Sequence, residues 1–145
     1  MGKYTSYKIL PEFKLIICNY QGDISVKDVM QLTQTFVGDE LFDPDFNVLI
    51  DFRNSLAIGF GLDIADYVKF FKKTVILNGK VLVGILYATP NQEFLLKIYK
   101  GFSKILNLEI EYFKQVEPCL EWMRFSGNEA DLVIQALNSI KTATT

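Results

Sequence analysis

Few residues in this chain could do chemistry, and one absence narrows them further. No histidine occurs among the 145 residues, which removes the commonest general base at neutral pH, the Ser/His and Cys/His nucleophile pairs and most zinc sites. Catalysis would then fall to carboxylates or lysines alone, and no local spacing pairs two carboxylates or sets an activated lysine. The sequence predicts a protein that works by binding rather than by catalysis, with no cofactor and no metal.

The polar candidates sit where ligands gather in open α/β sheets, beyond the carboxyl ends of parallel strands. One apolar run ends in Asp51, Arg53 and Asn54, and the next in Tyr87 and Thr89. The planar donor fork of Arg53 suits a carboxylate or a phosphate. The same residues also allow a plainer assignment, in which Asp51 and Arg53 form a structural ion pair and Thr89 only caps a helix.

The stretch from Ser55 to Leu62 is apolar for a surface connection, which makes Ser55, Ile58, Phe60 and Leu62 candidates for a contact patch. Alternatively Leu56, Ile58 and Phe60 tuck under the sheet edge. Gly59-Phe60-Gly61 resembles the start of a dinucleotide fingerprint, but Ile64 occupies the third small position and the turn does not directly follow the strand. Glycines for a turn and a helix entry are the reading adopted. Lys97, Lys100 and Lys104 share a helical face that reads as solvated, and Trp122 reads as a core anchor. Cys18 and Cys119 have no neighbouring cysteine or histidine and are read as small buried hydrophobes.

These residues need elements to position them. TSYKIL and KLIICNYQG are strand-like runs around Pro11 and Glu12, an antiparallel pair. Ser25 is a natural N-cap for a first helix carrying Val26, Val29, Met30, Thr33, Phe36 and Val37. Residues 47–52 and 80–88 are nearly continuous apolar runs, as central strands covered on both faces should be. Between them Ile64, Val68, Phe71 and Val75 mark a second helix, giving a βαβ crossover. Asn78-Gly79 could close a hairpin, but the helical period before it favours a helix stop.

Thr89-Pro90-Asn91-Gln92 is a helix start, with a capping box and proline at the first helical position. Its helix is expected to run to about Asn107 with Phe94, Leu95, Ile98, Phe102 and Ile105 inward. LEIEYF then alternates like an edge strand, Pro118 opens a short helix, and Ser126 to Glu129 reads as a capping box before a last amphipathic helix. The fold class predicted is α/β, a single domain with a mixed sheet covered by helices and one additional C-terminal helix at 126–141, followed by a polar tail at 142–145.

Half the residues are hydrophobic and 14% aromatic, and mean hydropathy is +0.18, values suited to a packed sheet-and-helix core. Net charge is −2 and the 15 basic residues are scattered, which argues against nucleic acid as a partner. No apolar run approaches a membrane span, and the N-terminus lacks the apolar stretch of a signal peptide, so the expected location is cytoplasmic, without stable membrane insertion.

Three segments carry a resemblance to a known family: Tyr20-Gln21-Gly22-Asp23 closing the first strand pair, residues 42–53 (FDPDFNVLIDFR), and residues 116–123 (VEPCLEWM). Together with the element order they resemble the STAS superfamily, specifically its SpoIIAA-like (STAS/SEC14-like) branch, over about residues 4–125. That resemblance implies a small regulatory or ligand-sensing module. Bacterial anti-sigma-factor antagonists of this fold are switched by phosphorylation of a serine opening the second helix. The matching stretch here, residues 58–62 (IGFGL), contains no serine or threonine, and Ser55 lies outside the helix start.

The function expected first is therefore a non-catalytic regulatory or sensing module that binds a partner protein through residues 55–62 and the adjoining helix. The alternative is a carrier or sensor of a small apolar or lipid-like ligand, for which 12 Phe and 7 Tyr are a suitable lining. The last helix, with Leu132, Val133, Leu137 and Ile140, is expected either to cover the sheet or to pair with another copy in a homodimer.

Overall fold

The computed structural model describes residues 2–141, without the side chains at positions 60–62, so the tail at 142–145 and the Phe60 and Leu62 side chains lie outside the described residues. Strand β1 (Tyr4–Leu10) turns through a short 3-10 segment at Pro11–Phe13 into β2 (Leu15–Ser25). Helix α1 (Val26–Val37), β3 (Asn47–Ile58), α2 (Phe60–Thr74), β4 (Val81–Leu86), α3 (Pro90–Lys100), α4 (Ser103–Leu106), β5 (Leu108–Phe113), α5 (Val116–Trp122) and α6 (Gly127–Ser139) follow. The sheet order is β1-β2-β3-β4-β5, antiparallel between β1 and β2 and parallel elsewhere, the mixed α/β sheet the sequence predicts. Edge strand β5 pairs only with β4.

Alternation along the strands divides the core by sheet face. Ile16, Cys18, Tyr20, Val83 and Ile85 point toward α1, α2 and α3, while Leu15, Ile17, Leu49 and Leu86 point toward α5 and α6. The last helix buries Val133 and Leu137 completely against that second face, so it completes the three-layer core; Leu132 on its outer side stays exposed. Where α5 crosses β4, Gly84 is needed for contact. A Cβ there would sit 2.6 Å from Cys119 Sγ and 3.2 Å from Met123 Sδ. Both cysteines are buried and unbridged, and burial pushes the Cys119 thiol up to about 12.

Ser25 caps α1 in a reciprocal capping box with Asp28, and Thr89 does the same for α3 with Gln92. Five local expectations are corrected. Residues 55–58 are not a loop: β3 continues to Ile58 because the far half of β2, Gly22 to Ser25, pairs with Ser55 to Ile58. Helix α2 stops at Thr74, four residues before Asn78, since Val75 turns extended (φ −112°, ψ 113°) to bury its side chain.

The third helix is broken at Gly101, where Ser103 Oγ donates to the Lys100 carbonyl, and α4 ends on left-handed Asn107 (φ 58°). Leu95 and Phe102 face inward as expected, together with Gln92, Leu96 and Tyr99, while Phe94 and Ile105 are exposed. Ser126 starts α6 without a side-chain capping bond, as the chain enters through left-handed Gly127 (φ 56°). No helix among the described residues is long and apolar enough to cross a membrane.

Candidate functional site

The site is shaped by an irregularity in β3. Asn19 faces Asp51 and Gln21 faces Asn54, so three steps on β3 match two on β2, a β-bulge. The extra residue reverses the alternation. Ile50 and Phe52 before the bulge and Ser55 and Ala57 after it all line the helix-covered face, and Leu56 and Ile58 are turned to the opposite one. There they lie 57% and 47% exposed, so they do not tuck under the sheet edge.

Over that floor, between α1, α2 and α3, lies a cavity of about 60 Å³. Ile24, Val26 and Val29 wall one side, Ile64 and Tyr67 another, and Leu95, Leu96 and Tyr99 the third. Helical spacing explains the last two: Leu96 and Tyr99 stand four and seven residues after Gln92, on its face. The Phe52 ring is held by stacking on buried Tyr20, with centroids 4.7 Å apart.

The polar groups on this lining are engaged with one another. Gln92 Nε2 donates to the carbonyls of Phe52 (2.8 Å) and Ser55 (2.7 Å), and its Oε1 accepts from the backbone of Ala88 (2.7 Å) and Thr89 (3.1 Å). Ser55 Oγ donates to the Phe52 carbonyl at 2.7 Å. Burial pushes the Tyr67 hydroxyl up to about 12 and raises Tyr99 well above its ordinary value. Among the described residues no buried side-chain nitrogen or oxygen lacks a partner. Such a cavity can hold an apolar group, and offers a polar one nothing to bond.

Of the candidate site residues whose side chains are described, the structure brings only Ser55 onto this lining. Asp51 and Arg53 face α5 and α6 instead. Arg53 Nε and Nη2 fork onto the two oxygens of Asp51 at 3.0 Å each, its backbone N–H donates to Oδ1 at 3.0 Å, and Lys141 Nζ approaches Oδ2 at 3.2 Å. Burial pushes the Asp51 carboxyl up, but the Arg53 bonds and the two positive charges outweigh it and hold the group below its usual range.

Asn54 is exposed beside the bulge, and Ile58 is exposed on the far face. Tyr87 is buried edge-on to Tyr112, and Thr89 serves as the α3 cap. The side chains of Phe60 and Leu62 lie outside the described residues. Gly59 takes a left-handed conformation (φ 70°) as the N-cap of α2, the turn role read from sequence.

Sequence reasoning missed Gln92, Tyr67 and Tyr99. Gln92 is visible in sequence as a capping-box residue, and its second role depends on two carbonyls 37 and 40 residues away.

No family model matches the chain, and neither does any curated protein. Among solved structures the chain is similar to an uncharacterized protein of the DUF3478 family with a SpoIIAA-like fold from Shewanella loihica PV-4. The TM-score is 0.54 at 14% identity, over 83% of this chain and 93% of that one. The likeness shows the fold, which is SpoIIAA-like, in agreement with the resemblance carried by the sequence.

Proposed function

We propose that this SpoIIAA-like chain is a non-catalytic binding module whose ligand is a small apolar molecule held between α1, α2, α3 and β3. One observation carries the reading: the cavity lies at the carboxyl end of β3, and no buried polar side-chain atom on its wall lacks a protein partner. A ligand that needs no hydrogen bonds fits such a space, and water within it would find few partners. The stretch 58–62 has no hydroxyl to phosphorylate, so ligand occupancy takes the place of the phosphoswitch in this reading.

Native mass spectrometry of gently purified protein, compared with its denatured mass, tests the proposal. An adduct lost on denaturation, and absent from an Ala57→Phe variant whose ring occupies the cavity, is the expected result. A bare chain that also fails to bind the apolar dye N-phenyl-1-naphthylamine would overturn it.

The second reading is a regulatory module docking a partner protein through Leu56, Ile58 and the adjoining α2. What favours it is the exposure of two large apolar side chains on the same face of one strand end. Replacing both with aspartate should abolish co-purification of such a partner, and unchanged co-purification would refute this surface.

A further inference from the structure

A second cavity, of about 50 Å³, lies on the same sheet face toward the amino ends of β3 and β4, against Phe46, Val48 and Val83. The two cavities follow β3 in line and share four wall residues: Ile50 on the floor, Val29 of α1, Tyr67 of α2 and Tyr99 of α3. The partition between them is thus a waist with one side chain each from β3, α1, α2 and α3. Its two rings meet edge to face, 5.8 Å between centroids at 68°.

Hydroxyl groups tie this waist to all three helices. Thr33 Oγ donates to the Val29 carbonyl at 2.8 Å. The Tyr67 hydroxyl stands in hydrogen-bonding contact with Thr33 of α1 and Tyr99 of α3. Closed, this relay divides the space; with the two rings displaced, the space is continuous.

We propose that the two cavities are the halves of one channel for a single unbranched alkyl chain, gated by the Tyr67–Tyr99 pair. The proposal rests on the apolar-ligand reading above and narrows it to a ligand class. An alkyl chain asks nothing of walls whose polar groups are already paired, and a linear one suits two chambers in file joined by a four-residue waist. A short chain occupies the chamber at the Ala57 end and leaves the relay closed. A longer chain displaces the rings, breaking a hydroxyl bond as it crosses.

The test is displacement of N-phenyl-1-naphthylamine by 1-hexanol and by 1-dodecanol, using the full chain and two variants, Tyr67→Phe and Thr33→Val, each checked for an unchanged circular dichroism spectrum. Two variants guard against the misfolding of either. Opening the relay should tighten 1-dodecanol by about fivefold, one net hydrogen bond, and leave 1-hexanol within about twofold.

If neither alcohol displaces the dye from any of the three proteins, the apolar-ligand reading falls and the channel with it. If 1-hexanol binds while 1-dodecanol gains nothing over it in all three, the channel is refuted and the apolar-ligand reading stands. Equal tightening of both alcohols in the variants would refute the gate.

Discussion

The side-chain amide of Gln92 donates to the main-chain oxygen of Ser55 at 2.7 Å, taking over the edge of β3 where β4 has ended. The last paired residues of those strands are Asp51 and Leu86, so beyond them β3 has no strand neighbour on that side. One glutamine amide supplies two donors there and anchors the β4–α3 junction with its oxygen. It thereby sets the roll of α3 and the height of the cavity roof.

Replacing Gln92 with Met keeps the volume but leaves two carbonyls and two N–H groups without their partner. The expected loss is at least about 2 kcal/mol of unfolding free energy, by urea titration, since each buried unpaired group costs about 1–3 kcal/mol. Gln92→Glu should cost at least as much, because it sets a buried carboxylate oxygen against the Phe52 and Ser55 carbonyls where an N–H donor stood.

Gly84→Ala should destabilise by roughly 1–3 kcal/mol, the usual range for overpacking. The Cβ would meet the Cys119 sulfur at 2.6 Å. Adding Cys119→Ala removes that sulfur, so the double variant should lose less than the sum of the two single changes, which a thermodynamic cycle reads directly.

The lowered carboxyl of Asp51 predicts an acid limb in stability. A group whose folded value lies below its unfolded value contributes stability above the unfolded value, about 3.9, and loses it as pH falls through the folded one. Wild-type unfolding free energy should therefore decline below about pH 4. Asp51→Asn should cost roughly 1–3 kcal/mol at pH 7, less than a fully buried pair because Arg53 and Lys141 keep some solvent contact, and should flatten that limb.

Leu56→Asn should change stability by no more than about 0.5 kcal/mol, because more than half of the side chain already faces solvent. A loss of several kcal/mol in the same titration would show that the side chain is part of the core after all.

Element type and order were legible because they are written at short range. Thr89-Pro90-Asn91-Gln92 announces a helix by capping chemistry confined to four residues, and the runs at 47–52 and 80–88 announce buried strands by composition alone. The presence of a sheet-and-helix core followed from the same local signals.

What tertiary structure decided was phase and partnership. The bulge opposite Tyr20 depends on register between β2 and β3, which no spacing within residues 47–58 records, yet it determines that Ser55 and Ala57 line the cavity while Leu56 and Ile58 leave it. One side of α3 was misread for a related reason. Phe94 is more apolar than Gln92, but the Gln92 amide bonds the carbonyls of Phe52 and Ser55, which draws Gln92 inward and leaves Phe94 outside. Local propensity selects an element; the demand that every buried polar group find a partner, across 37 or 40 residues of chain, decides which of its sides becomes the site.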